Sequence, residues 1–284
     1  MTIPTNNIVV ISDTHCGCRL ALCPPKFKLD DGGTYRQSAL QKKIWKMWQQ
    51  FWGEFVPRAT RGEPFVVVHN GDAIDGQPHG SKSQISTNIS DQVSMAYECL
   101  APVVEACGGN YYHIRGTESH VGKSAEVEEI LANRLGAIPD GQGQRARYDL
   151  RKTIGPKKKI VHCLHHVGSV GSQSYEAAAP GRELVESYIE AARWGYKAPA
   201  VVVRSHRHRQ IAIQFPVQDV TETTETGSAW SVVTPCWQAK TPFVWRIPQG
   251  RLSVPQWGGI VVRWAEDELF VRSKVWTVAP SRAE

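Results

Sequence analysis

The chain has 284 residues, of which 41% are hydrophobic and 21% charged, a soluble globular composition that excludes a disordered chain. No run approaches the roughly 20 apolar residues of a spanning helix, and the first eight residues lack the pattern of a secretion signal, so we expect a cytoplasmic protein without a membrane partner. The seven scattered cysteines exclude a disulfide framework, and the formal net charge of +6 permits a nucleic-acid partner without requiring one.

Strands and helices are predicted to alternate over the first 140 residues. Apolar runs predict buried strands at Ile8–Ser12, Phe65–His69 and Tyr111–Ile114. Apolar residues at helical spacing and N-cap residues predict helices at Arg36–Val56 (ended by Pro57), Asp91–Cys107 (capped by Ser90) and Ser124–Leu135. This alternation favours βαβ units and a largely parallel sheet.

The second half is predicted to be richer in strands. A hairpin over 145–165 is followed by a helix near Gly181–Trp194 and a valine-rich strand at 200–203. Residues 209–284 are mostly β and are expected to complete a second sheet. We therefore predict an α/β protein with two mixed sheets packed face to face between helices, forming a single domain over residues 1–284.

Potential metal ligands follow five of the predicted strands. In chain order they are Asp13 and His15, Asp72, the segment Thr117–His120, the pair His165 and His166, and the pair His206 and His208. Ligands in α/β sheets gather at the carboxyl ends of the strands. These side chains are therefore expected to meet at one edge.

Two histidine pairs raise questions of orientation. In an extended chain His206 and His208 would point the same way and could share a target. His165 and His166 would face opposite sides of a strand, so only one of them is expected to be a ligand. A small zinc site built from His15, Cys16, Cys18 and Cys23 is an alternative, although a second Cys/His pair at zinc-finger distance is missing.

The mixture of carboxylates and imidazoles suits two divalent ions, with manganese favoured over iron, zinc, nickel or cobalt. Asp72 could bridge the two ions, because a carboxylate has two oxygens. Such a pair of ions can generate a hydroxide nucleophile and hold both oxygens of an in-line displacement at phosphorus.

The order Asp-x-His, Gly-Asp, Gly-(Asn)-His, His, His-x-His resembles the calcineurin-like metallophosphoesterase superfamily over residues 8–208. The resemblance implies a four-layer αββα sandwich and a dinuclear metal centre. It assigns Asp13, His15 and His208 to the first metal, Asp72 to the bridge, and His165 and His206 to the second metal.

One motif departs from the family pattern. The run Gly116-Thr117-Glu118-Ser119-His120 has Thr117 where the family has an asparagine ligand, and its histidine comes two residues late. Either Thr117 binds through its hydroxyl, or Glu118 or His120 replaces it. We expect His120 to face the substrate and to act as the general acid.

The predicted activity is hydrolysis of phosphate esters, with diesters favoured over monoesters, by a metal-bound hydroxide. Arg115 and His166 are the predicted substrate-binding residues, and Asp72 and His120 the predicted catalytic residues. The alternatives are a nuclease of the same fold, for which the basic hairpin 145–159 would bind nucleic acid, and a binding scaffold that has lost catalysis. The oligomeric state is left open.

Overall fold

The computed structural model describes residues 5–168, 175–219, 225–247 and 254–277. The strands are β1 (Asn7–Ile11), β2 (Lys26–Lys28), β3 (Thr34–Arg36), β4 (Val66–Asn70), β5 (Tyr111–Ile114), β6 (Ala146–Arg147), β7 (Asp149–Ile154), β8 (Lys159–Leu164), β9 (Val201–Arg204), β10 (Ile211–Asp219), β11 (Glu225–Val233), β12 (Gln256–Ala265) and β13 (Glu268–Thr277). The helices are α1 (Ala39–Gln50), α2 (Val56–Thr60), α3 (Ile89–Ala106), α4 (Glu118–Val121), α5 (Glu126–Arg134), α6 (Ala178–Trp194) and α7 (Pro242–Arg246).

Two mixed sheets form the centre of the molecule. The first has the order β13-β12-β1-β4-β5-β6, in which β1, β4, β5 and β6 are parallel. The second has the order β10-β11-β9-β8-β7, with β11, β9 and β8 parallel and the outer strands antiparallel. The carboxyl ends of the parallel strands carry the predicted ligand segments.

The side-chain alternation of the strands divides the core into three layers. Residues such as Ile8, Val68 and Val203 pack between the two sheets. Neighbouring residues of the first sheet, such as Val9, point the other way and pack against helices α1, α3 and α5. Leu184 of α6 covers the outer face of the second sheet. The predicted αββα sandwich is therefore confirmed.

The C-terminal strands join different sheets, which corrects the prediction that residues 209–284 complete the second sheet. Strands β10 and β11 extend the second sheet as expected, but β12 pairs antiparallel with β1 in the first sheet, with Ile8 opposite Val262. Strand β12 is buried along almost its whole length because it lies between β1 and β13. Its apolar run predicts a central strand but does not say in which sheet.

Several helix boundaries differ from the prediction, and the predicted first helical residue, Arg36, lies in β3 instead. Pro57 does not end the first helix, since α1 passes through a π-helical turn, Phe51–Phe55, into α2, where Pro57 occupies a first-turn position and needs no N–H partner. Helix α3 is capped by Asn88, which accepts from the N–H of Ser90. Helix α5 begins after Ala125 in a left-handed conformation and has no side-chain cap.

All seven cysteines are buried and free, in agreement with their scattered positions in the sequence. None of the helices in the described ranges combines the length and apolar character that a membrane crossing requires.

Candidate metal centre

The predicted ligands converge at the carboxyl edge of the two sheets. Three overlapping groups have ligand atoms within 4.8 Å of one another: Asp13, His15 and His208; His15, Asp72 and His120; and Asp72, His165 and His206. We call these seven residues the ligand cluster. Within the described residues no such group includes a cysteine, so the alternative zinc site at Cys16, Cys18 and Cys23 is not formed.

Backbone conformation, and not strand alternation, aims these side chains. Asp13, His15, Asp72, His206 and His208 have φ angles of 51°, 42°, 53°, 72° and 57°. Positive φ is uncommon outside glycine, and such residues collect at functional sites. The expectation that His206 and His208 share a target because of strand geometry is wrong. Strand β9 ends at Arg204, and the following turn sends the two rings into different groups.

The first group is compact, with Asp13 and His15 buried and His208 partly exposed. His208 Nε2 lies 3.3 Å from Asp13 Oδ1 and 3.1 Å from His15 Nε2. Burial alone would raise the pKa of Asp13, but the close approach of His208 and the charges of His165 and His208 outweigh it, so the pKa of Asp13 is lowered. Asp13 is therefore an anion at neutral pH.

Asp72 is the centre of the group that also contains His165 and His206. Its Oδ2 lies 3.1 Å from His165 Nε2 and 3.9 Å from His206 Nδ1. Burial alone would lower the pKa of His165, but Asp72 outweighs it and raises this pKa to about 9, while His165 helps to hold the pKa of Asp72 well below its usual value. The Nδ1–H of His165 donates to the carbonyl of Asn70 at 2.6 Å, which leaves Nε2 as the nitrogen available to a ligand.

The two adjacent histidines occupy different positions. His165 is fully buried within the ligand cluster, whereas His166 is exposed. The His166 ring centroid lies 5.4 Å from that of His165 and 6.0 Å from that of His206. His166 therefore lies at the rim, and its substrate-binding role stays a prediction.

In the altered third motif, Thr117 donates hydrogen bonds to the carboxylate of Asp72. Thr117 donates to Asp72 Oδ1 from its backbone N–H at 2.7 Å, and its hydroxyl lies 3.1 and 3.2 Å from the two carboxylate oxygens. Gly116 allows this approach, because a Cβ there would lie 2.9 Å from Asp72 Cα and closer still to its Oδ1. Glu118 is exposed, and the ligand role of Thr117 stays a prediction.

His120 lies inside the ligand cluster although it comes two residues late. It belongs to α4, and its ring packs edge-on against His15 with centroids 4.5 Å apart. Its Nδ1–H donates to the carbonyl of Asp75 at 2.6 Å. This bond fixes the ring and leaves Nε2 for a metal or for proton transfer.

Two buried carboxylates around the ligand cluster were not predicted. Asp75 Oδ1 lies 3.4 Å from His15 Nδ1 and 3.9 Å from His120 Nδ1, and Asp75 also accepts from Gln84 and Gln238. Burial opposes ionisation of Asp75, but the hydrogen bond and charge of His15 outweigh it and lower its pKa. The spacing Asp72-x-x-Asp75 after a strand was the available signal. Glu128 of α5 is the other carboxylate, and its sequence context carried no such signal.

The three arginines around the histidine pair form ion pairs with two glutamates. Arg204 Nε lies 2.5 Å from Glu183 Oε2, and both Arg207 and Arg209 pair with Glu176, at 3.3 and 2.7 Å. These pairs tie the turn that carries His206 and His208 to α6 and to the segment before it. The arginines therefore have a structural role in holding that turn.

The other predicted basic contacts are also made within the protein. Arg115 donates to the carbonyl of Ala146 at 2.7 Å and lies 4.2 Å over the ring of Tyr148. Its substrate-binding role stays a prediction. At the basic hairpin, Arg145 and Arg147 donate to backbone carbonyls between 137 and 139. These two arginines, which contributed to the prediction of a nucleic-acid-binding hairpin, therefore bind the protein's own backbone.

The residues present fit a divalent-metal centre. Asp13 Oδ1 and His165 Nε2 are buried, and their polar neighbours, His208 Nε2 at 3.3 Å and Asp72 Oδ2 at 3.1 Å, lack hydrogen-bond geometry. The Nε2 atoms of His15 and His208 lie 3.1 Å apart. Buried polar atoms are normally satisfied. A set of carboxylate oxygens and imidazole nitrogens in this arrangement is the donor set of zinc, manganese or iron.

No protein-family model and no curated protein sequence matches the chain. Solved structures with a similar fold include a variant of Vps29 from Entamoeba histolytica, with 9% identity, a TM-score of 0.34 and coverage of 95% of this chain and 99% of that chain. Vacuolar Protein Sorting 29 from Cryptosporidium parvum has 11% identity and a TM-score of 0.37, covering 97% and 100%. The sulfate thiohydrolase SoxB of Thermus thermophilus has 11% identity and a TM-score of 0.37, covering 98% of this chain and 57% of that one.

Similarity at this level carries no argument about activity. The fold follows from the chain's own layers, strand order and ligand positions, and these are the ones that the resemblance to the calcineurin-like metallophosphoesterases implied. The chain has the αββα sandwich and the ligand positions that this resemblance implies.

Proposed function

We propose that the protein is a metal-dependent phosphoesterase with a dinuclear centre. The observation that carries the proposal is the overlap of the ligand groups, because Asp72 belongs to two of them and has partners on both sides. Asp13, His15 and His208 would hold one ion, His165 and His206 the other, and Asp72 both. Divalent ions bound there would supply Lewis-acid activation of water and of the phosphoryl oxygens.

The protein's own groups would orient the substrate and move the proton. His120 is held at Nδ1 by the Asp75 carbonyl, so its Nε2 is the atom that would pass a proton to the leaving group. Asp75 would stabilise the protonated ring through its carboxylate, 3.9 Å from Nδ1. His166 at the exposed rim would contact the phosphate.

Diesters are the favoured substrates. A monoester carries a second negative charge, and arginine is the usual side chain that recognises it with two parallel bonds. The guanidinium groups of Arg204, Arg207 and Arg209 are already engaged in ion pairs with Glu176 and Glu183. The rim is open, since the His206 side chain is 47% exposed, which leaves room for a second ester group.

The test is the metal content of the purified protein together with hydrolysis of bis-nitrophenyl and mono-nitrophenyl phosphate, with and without added manganese. We expect about two ions per chain and faster turnover of the diester. Asp72→Asn is the control, because it removes the shared charge and keeps the volume. Metal binding without turnover of either ester would replace this proposal with a binding scaffold, and preference for the monoester would refute the diester assignment.

A further inference from the structure

Glu128 is a fully buried carboxylate that contacts neither solvent nor the ligand cluster directly. It lies on α5, at the helical face of the first sheet, where neighbours such as Leu131 belong to the apolar core. Burial of a carboxylate in such a layer costs several kcal/mol unless the charge is paired and hydrogen-bonded. Its contacts therefore indicate what it does.

The two oxygens of Glu128 join two loops that carry site residues. Oε1 accepts from the backbone N–H of Ala73 at 2.9 Å, and Oε2 accepts from the backbone N–H of Gly116 at 2.5 Å. Ala73 directly follows Asp72, and Gly116 directly precedes Thr117. On the cluster side the same loops are joined by the bond from Thr117 N–H to Asp72. The bridging carboxylate is thus held between two cross-links.

A third loop is fastened at the same point. The hydroxyl of Thr14, which lies between Asp13 and His15, donates to the carbonyl of Ala73 at 3.0 Å and accepts from His69 Nε2 at 3.0 Å. The N–H of Cys16 also donates to the Ala73 carbonyl, at 2.9 Å. The peptide groups on either side of Ala73 therefore fix the Asp13–His15 loop, the Asp72 loop and the Gly116 loop relative to one another.

The carboxyl group of Glu128 has a buried histidine beside it. His113 Nε2 lies 3.6 Å from Glu128 Oε1, and its Nδ1 lies 2.9 Å from the hydroxyl of Tyr111. The His113 ring stacks on His69, with centroids 5.1 Å apart and planes 5° from parallel. This connected set of side chains, Thr14, His69, His113, Tyr111 and Glu128, forms a polar layer behind the ligand cluster.

We propose that Glu128 is a positioning residue for the metal centre, and that it sets the placement of Asp72 relative to Thr117 through the N–H groups of Ala73 and Gly116. The role rests on the proposed metal centre. An uncharged isostere cannot reproduce it, because the amide of glutamine has one acceptor oxygen and places an NH2 group against the other backbone N–H.

The experiment compares Glu128→Gln with Glu129→Gln. Glu129 is the matched control, since it lies on the same helix and accepts from the N–H groups of Arg145 and Ala146 at 2.7 to 3.1 Å, away from the ligand loops. Manganese binding to the metal-stripped protein is measured by calorimetry, and thermal unfolding of each variant is measured alongside. Glu128→Gln should weaken manganese binding by roughly 10- to 100-fold, the usual cost of losing an outer-shell contact. Glu129→Gln should change it by less than about twofold, even if both variants unfold at lower temperature.

A second readout does not depend on metal. In the metal-free protein, the amides of Ala73 and Gly116 should exchange with solvent at least about tenfold faster in Glu128→Gln than in the wild type. If Glu128→Gln does not fold, Glu128→Asp keeps a carboxyl group at this position but is one methylene too short to reach both amides. The same loss of manganese affinity is then expected.

The outcomes separate the two proposals. Wild-type manganese affinity in the Glu128 variants, or an equal loss in Glu129→Gln, overturns the positioning role and leaves the metal centre standing. Absence of manganese binding to the wild-type protein overturns the metal centre and, with it, the role of Glu128. Unchanged amide exchange at Ala73 and Gly116 overturns the positioning role on its own.

Discussion

Gly116→Ala tests whether the placement of Asp72 depends on the close approach of the two loops. A Cβ at residue 116 would lie 2.9 Å from Asp72 Cα and closer still to Asp72 N and Oδ1. These atoms belong to the backbone and to a carboxylate that is held by Thr117, so they have little freedom to move. One loop would have to shift, and the Thr117 to Asp72 bond would break or lengthen.

The size of the effect follows from the same contacts. Overpacking by one methyl group in a close-packed site costs about 1–3 kcal/mol of unfolding free energy. A displacement of reacting groups by about 1 Å costs on the order of 100-fold in rate. We therefore expect Gly116→Ala to lose about 1–3 kcal/mol of unfolding free energy, measured by urea unfolding. Its turnover of bis-nitrophenyl phosphate with manganese should fall about 100-fold.

Gly141→Ala is the matched control, because a Cβ there would have nothing within 4 Å. Its unfolding free energy should stay within about 1 kcal/mol of the wild type and its turnover should be unchanged. Full turnover in Gly116→Ala, with the control behaving as expected, would refute the dependence of the site on this loop contact.

Three further changes test separate parts of the site and fold. Asp72→Asn should reduce turnover by more than about 100-fold while the circular-dichroism spectrum stays native, because the amide keeps the volume and loses the shared charge; retained turnover would contradict a bridging role. His120→Ala should slow esters with poor alkyl leaving groups more than nitrophenyl esters, whereas equal slowing would argue against proton donation. His162→Gln should reduce the sensitivity of the fold to acid, since burial and the charges of Arg204 and Arg151 lower the pKa of His162 from 6.5 to about 3. Below pH 6.5 the unfolded chain takes up a proton that the folded chain does not, so stability is lost as the pH falls. At pH 5 this loss is about 2 kcal/mol. Urea unfolding at pH 7 and pH 5 should show this loss in the wild type but not in the variant.

The sequence was sufficient for the layers and for most of the ligand cluster. Apolar runs that end in ligand residues are local patterns, and the common edge of parallel strands brings them together, as it does for Asp13, Asp72 and His165. The prediction that strand geometry aims His206 and His208 was wrong, because β9 ends at Arg204 and both histidines have left-handed conformations. Arg207 between them pairs with Glu176, which lies far from them in the sequence. The alternation of side-chain directions applies only within β9 and not to the turn after Arg204.

Asp75 and Glu128 show what local patterns miss. The histidine that Asp75 supports is His15, 60 residues earlier in the chain, and the amides that Glu128 holds come from two other loops. Neither partner is adjacent in sequence, so burial and pairing appear only in three dimensions. Pairing partners of β12 were missed for the same reason, because an apolar run does not specify which strand lies beside it.

The left-handed conformations of Asp13, His15, Asp72, His206 and His208 have a thermodynamic consequence. Each non-glycine residue in that region costs about 1 kcal/mol or more, against a total stability of roughly 5–15 kcal/mol for a typical domain. Any ion that binds only the folded loops offsets this cost by mass action. The temperature of unfolding should therefore rise with the concentration of free divalent ion, which would make the lifetime of the folded protein depend on the metal supply around it.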